Sequence, residues 1–127
     1  MKNLNYIGRI LLALPFVIFG INHFIIYDVF IGMLSSFIPH SAYLIFLTGA
    51  LMIIAGCAII INKYVLFFCY VLAGLLIAFT LTIHIPALIE GGTSNHLAWF
   101  AFLKDIGLLG GLLIIISNEA KTKKVEE

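Results

Sequence analysis

Uncharged or nearly uncharged apolar runs occupy residues 4–26, 41–61, 65–89 and 97–117, and short polar segments separate them. A helix needs about 20 apolar residues, at about 1.5 Å rise each, to cross the ~30 Å hydrocarbon layer of a bilayer. Each run meets that length, so the pattern predicts four transmembrane helices. The connections are a loop at 27–40, a tight turn at 62–64 and a loop at 90–96. Such short links make successive helices antiparallel neighbours. The expected fold class is all-α, a four-transmembrane-helix bundle forming one membrane domain over residues 1–127.

Finer patterning assigns faces. Arg9, Phe16 and His23 recur every seven residues in the first span, with Ala13 and Gly20 interleaved. Residues seven apart drift by only about 20° around a helix, so this stripe is one face, and its small residues direct it into the bundle. Pro15 lies on the adjoining face with Gly8 and Asn22. The second span repeats Ala42, Gly49 and Gly56 and reads as a packing helix. The third carries Tyr70, Ala73, Ile77, Thr80 and His84 down one face, with Pro86 distorting its end. In the fourth, Gly107 and Gly111 have the spacing of a close helix crossing.

The connections carry signals of their own. After Asp28, a candidate N-cap, the residues Val29, Phe30, Met33, Leu34 and Phe37 fall at helical spacing before Pro39. They predict a short amphipathic helix in the interface, placed to act as a lid. The segment from Glu90 to His96 reads as flexible turns followed by cap residues for the fourth span. The mixed Lys and Glu tail beyond Asn118 reads as a frayed end.

Composition agrees with the pattern. Hydrophobic residues make up 63% of the chain and charged residues 10%, whereas soluble domains carry about 25% charged residues. A net charge of +1 without a basic face excludes nucleic-acid binding. The first apolar run exceeds a signal-peptide core in length and no A-x-A-like cleavage site follows it, so it is expected to be retained. Lys2, Lys63, Lys121, Lys123 and Lys124 all fall on one side of the predicted topology, and the 27–40 and 90–96 loops contain no Lys or Arg. The positive-inside rule therefore predicts cytoplasmic N and C termini. Cys57 and Cys69 flank the lysine turn and read as packing residues rather than a redox pair.

The candidate chemistry begins with Lys104 and Asp105, adjacent charges inside an apolar span. Each costs about 2.5–3.5 kcal/mol at mid-helix by insertion scales, so a partner is expected. Counting about 1.5 Å per residue puts His23 about 5 Å, His84 about 8 Å and the Lys104–Asp105 pair about 11 Å below the outer ends of their helices. Arg9 lies near the opposite surface, and side chains tilt toward the helix N-terminus. Arg9 is therefore expected to snorkel, or to reach Asp105 only through water. The pocket candidates are His23, His84, Lys104 and Asp105, with Asn22, Thr80 and Arg9 added.

Three readings of this cluster stand. One is a pocket for an amphipathic molecule such as a quinone, its tail among Phe16, Phe24, Trp99, Phe100 and Phe102. Another is a metal site on His23, His84 and Asp105, typical imidazole and carboxylate ligands. The last is a structural network in which Lys104 snorkels outward and a histidine or Thr80 satisfies Asp105, with no catalytic residue assigned.

The ordered set Gly8-Arg9-Ile10, Gly20-Ile21-Asn22-His23-Phe24, Met33, Pro39, Thr48-Gly49-Ala50, His84, Pro86, Leu103-Lys104-Asp105 and Leu109-Gly110-Gly111 resembles the DoxX family of small membrane proteins. The resemblance implies a four-helix bundle in a bacterial plasma membrane, a multi-pass cell-membrane protein. Some members are subunits of quinone-linked or thiol- and superoxide-handling redox complexes, and most have no known activity. It also implies that a family polar site would use Arg9, His23, His84, Lys104 and Asp105. No cysteine stands in the outer half to support thiol exchange. The expected partners are the lipid bilayer, a membrane redox complex or further copies of the chain.

Overall fold

Four rods of apolar sequence meet as helices in the computed structural model, which describes residues 1–126 and contains no strand among them. Helix α1 spans Lys2–Ile25, α2 Tyr27–Met33, α3 Ala42–Ile60 and α4 Val65–Phe79. A π-helical turn, Thr80–His84, continues α4 into α5, Ile85–Gly91, and after a 3₁₀ turn at Gly92–Ser94 helix α6 runs from His96 to Glu126. Lys2–Ile25, Ala42–Ile60, Val65–Gly91 and His96–Val125 are each long and apolar enough to cross a membrane. They correspond to the four predicted spans. Only 17–39% of each span is buried against protein, so most of the apolar surface faces outward, as it does when the surrounding solvent is lipid.

Glycine sets the closest approach in the bundle, between α1 and α3. A Cβ on Gly20 would lie 2.7 Å from the Gly49 carbonyl oxygen, and one on Gly56 would lie 2.6 Å from Val17 Cγ2. The predicted stripe of α1 and the heptad-spaced glycines of α3 thus meet each other. On α6 the spacing misled: a Cβ on Gly111 would press on Leu12 Cδ1 at 2.8 Å, but nothing stands within 4 Å of Gly107. Only the lower end of that pair meets α1, and Gly107 lies on an exposed face.

The helices are held together at one end by packing and polar contacts. Phe16, Ile59, Cys69, Leu72 and Leu112 are fully buried in a core that fills the half of the bundle nearest the α3–α4 turn. Asn62 ends α3 in the left-handed conformation (φ 60°). Its N–H bonds the Ile59 carbonyl at 3.2 Å while the Lys63 N–H bonds Ala58 at 2.9 Å, the pattern of a Schellman cap. The Asn62 side chain accepts a hydrogen bond from Arg9, whose other guanidinium nitrogen pairs with Glu119. Both ends of the chain and the lysine turn therefore share one end of the bundle.

Two boundaries differ from the sequence reading. Helix α2 starts at Tyr27, so Asp28 sits inside its first turn and caps nothing. Helix α6 continues past Asn118 to Glu126 instead of fraying, and the Arg9–Glu119 pair ties this extension to α1. The predicted cap of α6 is present: the Ala98 N–H donates to Asn95 Oδ1 at 3.2 Å.

The π turn has a chemical cause. Pro86 lacks an N–H, and its ring crowds the carbonyl four residues earlier, that of Thr82. That carbonyl accepts instead from the Ser35 hydroxyl in the α2–α3 connection. A single proline thus widens the third span and anchors the loop that crosses the open end of the bundle.

Candidate ligand pocket

The half of the bundle away from the packed core is hollow. A cavity of about 610 Å³ opens there, walled by α1, α3, α4 with its π turn, and α6, with α2 and the following loop across its mouth. Phe30 and Met33 of α2 and Leu34 and Ile38 beyond it contribute the loop side of the wall. The short helix predicted in this connection thus contributes to the cavity wall. This volume is in the range of small-molecule sites, which combine apolar walls with a few convergent polar groups.

Asp105 is the deepest of these groups, 2% exposed on α6. The π turn brings two side chains to it. His84 Nδ1 stands 2.7 Å from Asp105 Oδ2, and the Thr80 hydroxyl donates to the same oxygen at 3.3 Å. Lys104 Nζ approaches the other oxygen, Oδ1, at 3.1 Å and rests 4.4 Å from the centre of the Phe19 ring. The His84 and Lys104 contacts are ion-pair distances without the alignment of full hydrogen bonds, so Asp105 Oδ1 and His84 Nδ1 keep bonding capacity. Lys104 stays beside Asp105, whereas the structural-network reading had it pointing away. Its charge turns back to the carboxylate and to an aromatic face, which offset part of the cost of a cation in the span.

His23 has a different role. It is 6% exposed, its Nδ1 lies 2.6 Å from the Phe19 carbonyl of the preceding turn, and its ring stacks on Phe30 of α2 with centroids 4.1 Å apart. The missing side chain at Gly49 gives it room, since a Cβ there would meet His23 Cβ at 2.6 Å. His23 therefore joins α1, α3 and α2, while His84 alone of the two histidines engages Asp105.

Of the sequence candidates, Asn22, His23, His84, Lys104 and Asp105 line this cavity, and Thr80 supports it through Asp105. Arg9 is absent from it. It lies in the packed half, bound to Asn62 and Glu119 and beside a smaller recess of about 230 Å³ between α1 and α6. Among the described residues no three His, Cys, Asp or Glu side chains converge as metal ligands, so His23, His84 and Asp105 are not gathered into one ligand set. The aromatic lining also differs from expectation. Phe16, Phe19, Phe30 and Phe79 line the cavity, whereas Phe24 stacks on Phe46, and Trp99 and Phe102 pair with each other along α6.

Sequence reasoning passed over Ser35, Phe19 and Glu119. Phe19 had a detectable signal, since it precedes His23 by one helical turn, where a side chain would meet its backbone carbonyl. The other two depend on contacts between distant segments. Comparison with known protein families, curated proteins and solved structures finds no match to this chain.

Proposed function

We propose that this protein is a DoxX-like, multi-pass component of a bacterial plasma membrane that holds a small amphipathic ligand, a quinone being the best chemical fit, as a non-catalytic accessory subunit of a membrane redox complex. The observation that carries the reading is the cavity of about 610 Å³ with His84, Lys104 and Asp105 grouped on one wall. A flat ring fits between phenylalanines, its oxygens meet the polar wall, and an isoprenoid tail leaves through an opening that faces lipid.

The distribution of lysines supports cytoplasmic termini. In that orientation the cavity lies in the outer leaflet and α2 at the outer interface. The lid is anchored by the Ser35 contact to Thr82 and by the His23–Phe30 stack. Both are small, local interactions of the kind that open without disturbing the packed half.

Mass spectrometry of lipid extracts from the purified protein tests this directly. The expected result is a co-purifying quinone, together with a rise in melting temperature when a short-chain quinone or quinol is added. Neither quinone in the extract nor a shift on addition would refute the ligand assignment.

A further inference from the structure

We infer that the recess between α1 and α6, at the end of the bundle that carries both termini, is a site for an anionic phospholipid. Part of one acyl chain seats in the recess and the phosphate lies against Lys2 and Lys121. The site is separate from the large cavity and does not depend on the ligand assigned there.

The volume sets the kind of molecule. At about 230 Å³ the recess is smaller than the about 300–1,000 Å³ of sites that enclose a small-molecule ligand. It therefore takes one part of a molecule whose remainder lies outside, and what lies outside an apolar span is lipid. Gly8 and Leu12 on α1 and Ile114 and Ile115 on α6 make the apolar walls. The floor is the contact of Gly111 with Leu12, where a Cβ would meet Leu12 Cδ1 at 2.8 Å. A Cβ on Gly8 would meet nothing within 4 Å, so the groove beside it is open.

Polarity along the recess changes in the order of a lipid. Asn5 and Asn118 line it on the side toward the chain termini. Helical spacing continues each stripe outward, since Lys2 stands three residues before Asn5 and Lys121 three after Asn118. The two helices run antiparallel, so apolar wall, amide and ammonium follow one another in the same order on both. Acyl chain, ester carbonyl and phosphate follow in that order too, and the amides supply donors for the ester oxygens. Arg9 adds one more donor at the recess. Its terminal nitrogens are held by Asn62 and Glu119, while Nε is buried without a partner and would be satisfied by an oxygen reaching the base of the groove.

Charge decides the head group. Glu119, the acid next to Asn118, is already paired with Arg9. Lys2 and Lys121 are exposed and enter no ion pair among the described residues. A net negative head group balances them, whereas a zwitterionic one brings its own cation. Each lysine near an anionic lipid is worth about fivefold in affinity.

Native mass spectrometry of the full-length protein, released from micelles holding equal amounts of phosphatidylglycerol and phosphatidylcholine with the same acyl chains, tests the site. One phosphatidylglycerol should be retained per protein, about tenfold in preference to phosphatidylcholine. Lys2→Gln combined with Lys121→Gln should reduce that preference to about twofold or less, with the melting temperature unchanged because both side chains are exposed and unpaired. Gly8→Leu fills the groove and should lower retention of both lipids. Gly74→Leu on α4, whose Cβ also meets nothing within 4 Å, should leave retention as in the parent. Melting temperatures in lipid-free micelles check that the leucine variants are folded, and the lysine variant tests the head group independently of them. Equal retention of the two lipids, or a preference that survives in the lysine variant, overturns the inference. Parental retention in Gly8→Leu places the lipid around the bundle or in the large cavity and overturns it as well. Displacement of the lipid by inorganic phosphate shows an anion site without an acyl seat, which also overturns it.

Discussion

Replacing Asp105 with Asn tests the polar wall most sharply, because it removes a charge and keeps the shape. Asp105 is 2% exposed and meets Lys104, His84 and Thr80. The amide can still accept from Thr80 at a cost of a few tenths of a kcal/mol, in line with the ~0.6 kcal/mol average for hydrogen bonds between membrane helices. His84 loses the charge of the carboxylate 2.7 Å away, and because that contact lacks full hydrogen-bond alignment only the lower part of the about 1.5–3 kcal/mol of a charged hydrogen bond is at stake. Lys104 becomes an unpaired cation in the span, which at mid-helix costs about 2.5–3.5 kcal/mol. Lys104 is 40% exposed, however, and can relax toward the interface, so only the smaller part of that cost should appear.

A net destabilisation of about 2–3 kcal/mol is expected from these terms. Equilibrium unfolding in micelles or bicelles on Asp105→Asn, Lys104→Met and the double variant separates them. Because the lysine is a liability only when the carboxylate is gone, the double variant should be more stable than Asp105→Asn alone, with a coupling of at least about 1 kcal/mol. A neutral Asp105→Asn, or strictly additive effects, would show that the pair is not an interacting unit and would refute the account of the wall.

Other consequences follow from particular contacts. Gly49→Ala should destabilise by about 1–3 kcal/mol, since its new methyl meets His23 Cβ at 2.6 Å, while Gly107→Ala, with nothing within 4 Å, should stay within about 0.5 kcal/mol of the parent by thermal unfolding. Pro86→Ala returns an N–H that can compete with Ser35 for the Thr82 carbonyl. Amide hydrogen exchange between Phe30 and Ile38 should then quicken, and unchanged protection would show that the proline does not hold the lid. Glu119→Gln strips the charge from the partner of Arg9 and should cost about 1–3 kcal/mol. Its effect should vanish when Arg9 is already Leu, as read from a double-mutant cycle in unfolding midpoints.

Sequence periodicity alone determined the number of spans, the burial of the Arg9 to His23 face and the small-residue repeat on α3, because helix rise and the bilayer's lack of hydrogen-bonding partners leave a membrane chain few options. It also brought His23, His84, Lys104 and Asp105 to similar depth, since depth is additive along a helix. Rotation about the helix axis and the spacing between helices are not additive in this way. They follow from packing, and so the tertiary structure decided that His84 meets Asp105 while His23 stacks on Phe30, and that Gly111 but not Gly107 meets α1. The same holds for Arg9 and Glu119, 110 positions apart, which become partners only when α1 and α6 close on each other. The cavity is likewise a tertiary property: close glycine contacts and large apolar side chains pack one half of the bundle, and the π turn above Pro86 widens the other.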